Sequence, residues 1–364
     1  MKGKFFLTAL ASMLLASCIN NELVLDESKK GKEIRFAVAP GTEQSRAEHD
    51  MDGPYNGELL IWAWKEGTND VIIPGNTYNT STKTFKDNVI YYYPVDGSNV
   101  NFLAIPKDVR DAGYVNEPQR ADNGNTSWTF HVGHESHDAS QHQVDIMTTE
   151  IVTKGVDVVP LVLRHLTSKL NFRIIQNQRF NDAAICSVTL NKVELRNLKN
   201  HAQVTLNQDW TAYNDGNDHM WETPQNDVCT WTILPTTDKT KHILAPLELN
   251  EDVNQFQTVG DYFVVPQPIT AGESGQKLYL EYTVTSKYQA NDLQITENFK
   301  KELDLSTVTA IPQWAMNKNI TYIIYINPLE EHHKISFTVE VEAWGNVNDN
   351  NTTITPSGST NITE

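Results

Sequence analysis

Short runs of strand-forming residues, separated by turn residues, recur along most of this chain. The runs are rich in β-branched and aromatic residues and are closed by Gly, Pro, Asn or Asp, whereas helical periodicity is almost absent. Such a pattern is typical of an all-β protein built from antiparallel sandwiches. Clear examples are residues 59–64, 100–105, 170–174, 277–284 and 320–326.

The length of 364 residues exceeds that of one ordinary hydrophobic core. We therefore predict two antiparallel β-sandwich domains in tandem, over residues 47–158 and 159–364. A short helix or an irregular insert is expected only within residues 108–122. Residues 74–76, Pro-Gly-Asn, are expected to form a turn.

The charge balance restricts the partners of the chain. The formal net charge is −17 and the isoelectric point is near 5.0. A nucleic acid or an anionic membrane surface would require a basic face, so neither is expected as a partner. Solubility is the simplest explanation of the acidic balance.

The N-terminus has the pattern of an export signal. Two lysines precede the apolar stretch 5–15, which is too short to span a bilayer, and small residues lead to Cys18. This pattern resembles a bacterial lipobox and predicts a signal peptide over residues 1–17, with lipid attached to the Cys18 sulfur. The alternative is an ordinary signal peptide with an accidental cysteine. Residues 19–32 have the composition of a tether.

A short alternating stretch follows the tether. Ile34, Phe36 and Val38 occupy one side and are separated by Arg35, Ala37 and Ala39, which predicts a half-buried strand. The polar sequence 41–47, with a single arginine, comes next. We interpret residues 18–46 as an N-terminal propeptide whose strand can be cut away and replaced.

No group of residues indicates an enzyme, a cofactor or a metal site. The chain lacks the common nucleophile, zinc-protease, phosphate-loop and dinucleotide motifs. His165 is expected to be a hydrogen-bonded structural residue rather than a catalytic base. A second group of histidines could supply metal ligands but is better explained as a polar loop: His131, His134, His137 and His142.

The cysteines and tryptophans allow two interpretations each. Cys186 and Cys229 could form a disulfide or be buried thiols, and only their separation would decide.

Tryptophans within the strands are expected to pack in the core, with sugar stacking as the alternative. These tryptophans are Trp62, Trp64, Trp231 and Trp344.

Several motifs, in order along the chain, resemble the fimbrillin family, the type V pilus subunits of the Bacteroidota. The resemblance covers nearly the whole mature chain. It implies domains of the Greek-key, transthyretin-like sandwich type. The motifs are the lipobox at Cys18, the strand at Ile34, the Arg46-Ala47 bond, the aromatic stretch 91–94 followed by 100–104, the His165 to Leu170 segment, and the last strand 335–344.

The resemblance implies a mechanism of assembly. The subunit crosses to the outer membrane as a lipoprotein, and an arginine-specific protease cuts after Arg46. The strand around Ile34, Phe36 and Val38 leaves with the lipid, and a C-terminal strand of another subunit fills its place. The product is an extracellular fimbrium, a homopolymer or a heteropolymer of such subunits.

The identity of the donor strand remains open, as does the role in the fimbrium. The alternating side chains Ile335, Phe337, Val339 and Val341 are one candidate donor, and residues 352–355 of the tail are another. Two other functions are possible: a tip adhesin, or a surface lipoprotein that never polymerises and binds glycan or a host protein. Exposed aromatics at Trp210 and Trp221 would favour the adhesin.

Overall fold

The computed structural model of the chain consists mainly of strands. The only α-helix in the described part is α1 (Lys107–Asp111), at the start of the predicted insert, so the all-β prediction is confirmed. The described residues are 31–38, 55–111, 119–120, 128–133, 145–155, 157–176, 184–199, 201–206, 228–234, 243–244, 257–288, 290–308, 311–316, 318–328 and 335–343.

The N-terminal half combines one five-stranded sheet with several short strand pairs. Its strands are β1 (Phe36–Val38), β2 (Glu58–Lys65), β3 (Val71–Asn79), β4 (Thr84–Phe85), β5 (Val100–Pro106), β6 (Gln119–Arg120), β7 (Trp128–Gly133), β8 (Met147–Thr149), β9 (Val152–Lys154), β10 (Val159–Leu161) and β11 (Leu163–His165). The sheet has the order β4-β3-β2-β5-β9. Strand β1 pairs with β10, and β8 pairs with β11.

The C-terminal half contains two larger sheets, ordered β17-β12-β22-β23 and β15-β13-β19-β20, and β16 also pairs with β13. Strand β14 pairs instead with β7 of the N-terminal half. The strands are β12 (Ser168–Gln176), β13 (Ala184–Lys199), β14 (His201–Leu206), β15 (Val228–Leu234), β16 (Ile243–Leu244), β17 (Gln257–Val264), β18 (Gln267–Pro268), β19 (Lys277–Tyr288), β20 (Gln294–Asp304), β21 (Gln313–Trp314), β22 (Lys318–Ile326) and β23 (Ile335–Ala343).

Buried side chains form separate clusters in the two halves and a third cluster between them. The N-terminal cluster packs one face of the β2-β5 sheet against β1, β8, β10 and β11. The opposite face, with Trp62 and Trp64, packs against Leu166, Val265 and Met316. Both tryptophans are buried because both faces of this sheet are covered. Since β10 and β11 belong to the N-terminal cluster, the division at residue 158 stays a prediction.

Two strand pairings differ from a purely antiparallel arrangement. Strand β1 runs parallel to β10, and β12 runs parallel to β22 in the middle of its sheet. Alternating side chains define which face of a strand is buried but not the direction of its neighbour. The parallel pairs were therefore not readable from the sequence.

The turn predicted at residues 74–76 is wrong. These residues lie inside β3, where the register with β2 shifts between Ile61 and Trp62. Gly75 has a φ of +86°, and a Cβ atom there would lie 2.6 Å from Trp62 Nε1. Gly75 forms a β-bulge and leaves space for the indole ring. The Pro-Gly-Asn sequence therefore marks an irregularity within a strand rather than a turn between two strands.

His165 is a buried structural residue, as predicted. Its Nδ1 atom lies 2.8 Å from Asp145 Oδ1, and neither side chain is appreciably exposed. Burial raises the pKa of the Asp145 carboxyl, and the adjacent imidazole partly opposes this effect. The contact between His165 and Asp145 connects β11 with the residues immediately before β8.

The cysteines are free thiols in the core of the C-terminal half. Cys186 and Cys229 are both buried and unbridged, and Cys186 Sγ lies 3.2 Å from Ser286 Oγ. Burial raises the pKa of the Cys229 thiol to about 11. The structure therefore has buried thiols rather than a disulfide between Cys186 and Cys229.

We expect these thiols to be unreactive in the folded protein. In a chain with Cys18 replaced by serine, a thiol reagent should react with neither cysteine at pH 7 and with both in denaturant, since reaction requires exposed thiolate. A colorimetric thiol titration with and without guanidinium measures this. Rapid reaction of the native chain would contradict the burial of Cys186 and Cys229.

Candidate functional site

The N-terminal strand contributes side chains to the N-terminal cluster. Ile34 and Phe36 are 5% and 6% exposed, and Val38 packs beside them, whereas the Arg35 side chain points to solvent. Fully burying an isoleucine or phenylalanine side chain stabilises a fold by about 1.5–3 kcal/mol. The segment is therefore part of the core, although it is only three residues long as a strand.

Phe36 is enclosed by an aromatic cage. Its ring meets those of Tyr78, Phe85 and Phe102 edge to face, with centroids 5.1, 5.9 and 5.6 Å away. The cage residues lie on β3, β4 and β5. Edge-to-face pairs of this kind stabilise by about 0.5–1.5 kcal/mol each beyond their buried area. Removing Phe36 would leave an aromatic-walled cavity.

Backbone pairing holds the segment from two sides. On one side, the Ile34 N–H donates to the Tyr91 carbonyl at 2.9 Å and the Tyr93 N–H to the Lys32 carbonyl at 2.8 Å. On the other, the Val159 N–H donates to the Arg35 carbonyl at 2.8 Å, where pairing with β10 begins. The segment thus fills a strand position between residues 91–93 and β10.

The two neighbours of the segment are connected to each other. The Tyr93 hydroxyl donates a hydrogen bond of 2.6 Å to the Asp157 carbonyl. Burial raises the pKa of Tyr93 to about 12, so this hydroxyl keeps its proton at neutral pH. The bond joins the two flanking segments directly, without involving the strand between them. In the described part of the chain, residues 89–94 form one β-bridge, between Glu33 and Tyr92.

A groove of about 1130 Å³ runs along β1. Its apolar and aromatic lining includes Tyr55, Tyr78, Phe85, Tyr91 and Val158, with polar residues at its rim. Such a volume slightly exceeds the usual range for a drug-sized ligand, about 300–1,000 Å³, and several residues of extended peptide would fit.

Left-handed residues lie on both sides of β4, and two of them, Lys83 and Asn88, line the groove. Lys83, Asp87 and Asn88 have φ values of +57°, +61° and +54°. Residues in this conformation interrupt an extended chain, and two in succession are uncommon outside glycine. Asp87 and Asn88 come just before Val89 and Ile90, which also line the groove.

Gly31 allows the N-terminal segment to approach its neighbour. A Cβ atom at this position would overlap the backbone carbonyl of Tyr93. The close approach permits the hydrogen bond between Tyr93 and Lys32 described above. A glycine is needed here for space rather than for an unusual φ.

We expect Gly31→Val to loosen the N-terminal segment. Overpacking costs about 1–3 kcal/mol, so the Ile34 amide should exchange its hydrogen at least about tenfold faster. Hydrogen exchange followed by mass spectrometry measures this. Ala37→Val adds bulk on the exposed side of the same segment and should change little. Unchanged protection in Gly31→Val would contradict the close approach.

The candidate donor strand is seated in its own sheet in this structure. Strand β23 is the last strand of the sheet and pairs with β22 along its whole length. Ile335 and Val339 are buried in the C-terminal cluster, and Val341 packs against it. Nothing is described of the Phe337 side chain. The strand would have to leave this position before it could enter another subunit.

Several predicted sites lie outside the described residues. These are Cys18, the Arg46-Ala47 bond, His134, His137, His142, Trp210, Trp221, Trp344 and the tail 352–355. Among the residues that are described, no cluster of histidine, cysteine or acidic side chains could hold a metal ion. None of the helices in the same part of the chain is long and apolar enough to cross a membrane.

Sequence reasoning missed the cage and the groove. The sequence singles out Tyr78 and Phe85 only by their aromatic character. Lys, Asp and Asn at positions 83, 87 and 88 are common in turns. Nothing in that composition indicates that Lys83 and Asn88 line a groove.

Comparison with known proteins gives one family match over most of the chain. A family model described as fimbrillin-like matches residues 45–344. The sequence has no match among curated proteins. Solved structures of similar arrangement include a candidate cell adhesion protein of Bacteroides uniformis, with 17% identity, a TM-score of 0.42, and coverage of 86% of this chain and 99% of that one. Another, from Parabacteroides distasonis, has 12% identity, a TM-score of 0.44, and coverage of 89% and 99%.

The family model decides the assignment, because it spans most of the chain. It confirms the resemblance that the motifs indicated, from the strand at residues 59–64 to the last strand β23. The likeness to solved structures is too low in identity to add a function. The chain belongs to the fimbrillin-like family and is a structural protein rather than an enzyme.

Proposed function

We propose that this protein is a pilus subunit that polymerises by strand exchange, with β1 as the strand that is replaced. One observation carries the proposal: a short N-terminal segment, made of β1 and the residues just before it, places Ile34 and Phe36 in the core. The sequence that follows β1 is polar and contains Arg46. A single cut there would separate a core strand from the body.

The proposed route begins with export. The signal over residues 1–17 is removed, Cys18 is acylated, and the precursor is held at the outer membrane by its lipid. Two or three acyl chains hold a protein firmly, whereas one chain does not. An arginine-specific protease then cuts after Arg46, and residues 18–46 leave with the lipid. The remaining subunit, with domains proposed over 47–158 and 159–364, joins the extracellular fimbrium.

The vacated position would bind another strand strongly. It exposes the aromatic cage together with unpaired backbone groups on residues 91–93 and β10. Unsatisfied backbone groups and apolar pockets at a sheet edge favour addition of an extended peptide. Each buried apolar side chain of an incoming strand would contribute about 1.5–3 kcal/mol. The proposed source is a C-terminal strand of another subunit.

Electrophoresis of unboiled protein tests this proposal. Protein cut after Arg46 should give a ladder of oligomers in detergent, because exchanged strands separate slowly. Boiling should collapse the ladder to one band, and uncut protein should run as a monomer before boiling. If cut protein remains monomeric at high concentration, polymerisation by strand exchange is contradicted.

A further inference from the structure

Among the described residues, none fills the groove beside β1 while β1 is still in its place. In the parallel pairing, the Arg35 carbonyl and Ala37 face β10, so the backbone groups of Phe36 and Val38 face the opposite side, toward the groove. No backbone hydrogen bond joins Phe36 or Val38 to residues 88–91, all of which are described. The second half of β1 therefore presents a strand edge to an apolar groove, an arrangement that accepts another strand.

The mouth of this groove is apolar and exposed. Val89, Ile90 and Val158 are 42%, 55% and 46% exposed, and all three line the groove. Clustered apolar side chains in water usually mark an interaction surface. The left-handed residues Asp87 and Asn88 immediately precede Val89 in this wall. An incoming strand thus has both apolar surface and backbone partners before β1 moves.

Strand β23 matches β1 in its apolar residues. The segment from Ile34 reads Ile-Arg-Phe-Ala-Val, and the segment from Ile335 reads Ile-Ser-Phe-Thr-Val. Because side chains alternate along a strand, the same three apolar residues occupy one side of each segment. Strand β23 is also the terminal strand of its sheet, paired only with β22 in the described part of the chain. A second copy of this chain therefore carries a segment that fits the pockets of β1.

Cutting the chain does not by itself release β1. The edge-to-face contacts of Phe36 and the hydrogen bonds to Tyr91, Tyr93 and β10 are all noncovalent and survive a cut at Arg46. If β1 left first, the whole aromatic cage would be exposed to water. If a new strand docks first, the cage stays covered throughout.

We propose that β23 of a second copy docks in the groove beside β1 and then displaces it, so that Ile335, Phe337 and Val339 take the pockets of Ile34, Phe36 and Val38. This inference rests on the proposed function and adds the order of events and the register of the donor. The incoming strand is the agent of release, and the cut only removes the covalent connection that prevents it.

The experiment follows the release of β1. An unlipidated chain that begins at Cys18 carries a fluorophore on that residue, since Cys186 and Cys229 are buried. A sequence-specific protease site after Arg46 allows one defined cut. A peptide of residues 335–343 is then added at increasing concentration, and the loss of fluorescence anisotropy reports release. The expected rate rises in proportion to the peptide concentration. A rate that is the same at every concentration, including zero, overturns the inference.

Variants identify the groove and the register. Ile90→Glu places a charge at the mouth of the groove and should slow peptide-driven release by at least about tenfold, because docking would bury that charge. Val71→Glu, at a residue that is 63% exposed and outside the groove, should leave the rate unchanged. A peptide with Phe337→Ala should also release β1 more slowly. Equal rates for Ile90→Glu and Val71→Glu overturn the docking step.

Two further peptides separate this inference from the proposed function. If a peptide of residues 350–364 drives release and the β23 peptide does not, the donor assigned here is wrong and strand exchange still stands. If no peptide drives release, including one of residues 32–39 that copies β1 itself, strand exchange at this position is contradicted as well.

Discussion

Replacing Phe36 with alanine should lower the free energy of unfolding of the uncut chain by about 3–5 kcal/mol, the usual cost of removing a buried phenylalanine. The ring has three aromatic neighbours, and the cavity would lie inside the N-terminal cluster. Tyr78, Phe85 and Phe102 belong to separate strands, so collapse of the cage around the cavity is restricted. Urea denaturation, followed by the fluorescence of the buried Trp62 and Trp64, measures the change.

The assembled protein supplies the control for this prediction. Once residues 18–46 have been exchanged for a donor strand, Phe36 is no longer part of the fold, and Phe36→Ala should not affect the stability of polymers made from cut protein. Val95→Ala, at a residue that is 72% exposed, should leave both forms unchanged. A stability loss below about 1 kcal/mol in the uncut chain would be far under the range for core phenylalanines and would contradict the burial of Phe36.

Replacing Arg46 with alanine should abolish assembly in cells. The protease would have no site in the sequence that follows β1, and β1 would stay covalently attached to the subunit it occupies. We expect a lipidated precursor to accumulate at the outer membrane and fimbriae made of this subunit to be absent. Immunoblots of membrane and shed fractions, together with negative-stain microscopy, measure both effects.

Arg35→Ala is the matched control for that variant. Arg35 is also an arginine of the N-terminal segment, and its side chain is 70% exposed and, among the described residues, pairs only with the exposed Glu33. An exposed ion pair contributes about 1 kcal/mol at most, so its loss should not unseat β1. Processing and assembly should therefore be normal in Arg35→Ala. Normal fimbriae in Arg46→Ala would show that cleavage after Arg46 is not required.

The sequence contained enough to locate the strand that fills the site. The alternation of Ile34, Arg35 and Phe36 predicts which side chains are buried, and their exposure follows the same order. Trp62 and Trp64 were expected in the core for their size and position, and they lie there. Period-two patterning is a local property, so it survives in a single sequence without knowledge of the partner strands.

Properties that depend on distant partners could not be read in this way. The parallel pairing of β1 with β10 joins residues far apart in the chain, and alternation is identical for either direction of pairing. The cage around Phe36 requires Tyr78 and Phe85 to meet it from two other strands. The groove is lined in part by the left-handed residues Lys83 and Asn88, which a turn signal places in loops without indicating what those loops line.

The central claim is that β1 of each subunit is absent from the assembled polymer, its position taken by a strand of another subunit. Intact-mass analysis of subunits dissociated from purified fimbriae tests it directly. The predicted result is a chain that begins at Ala47, with no copy of the fragment 18–46 recovered beside it. Subunits that retain residues 33–38, whether attached or as a bound fragment, would contradict the claim.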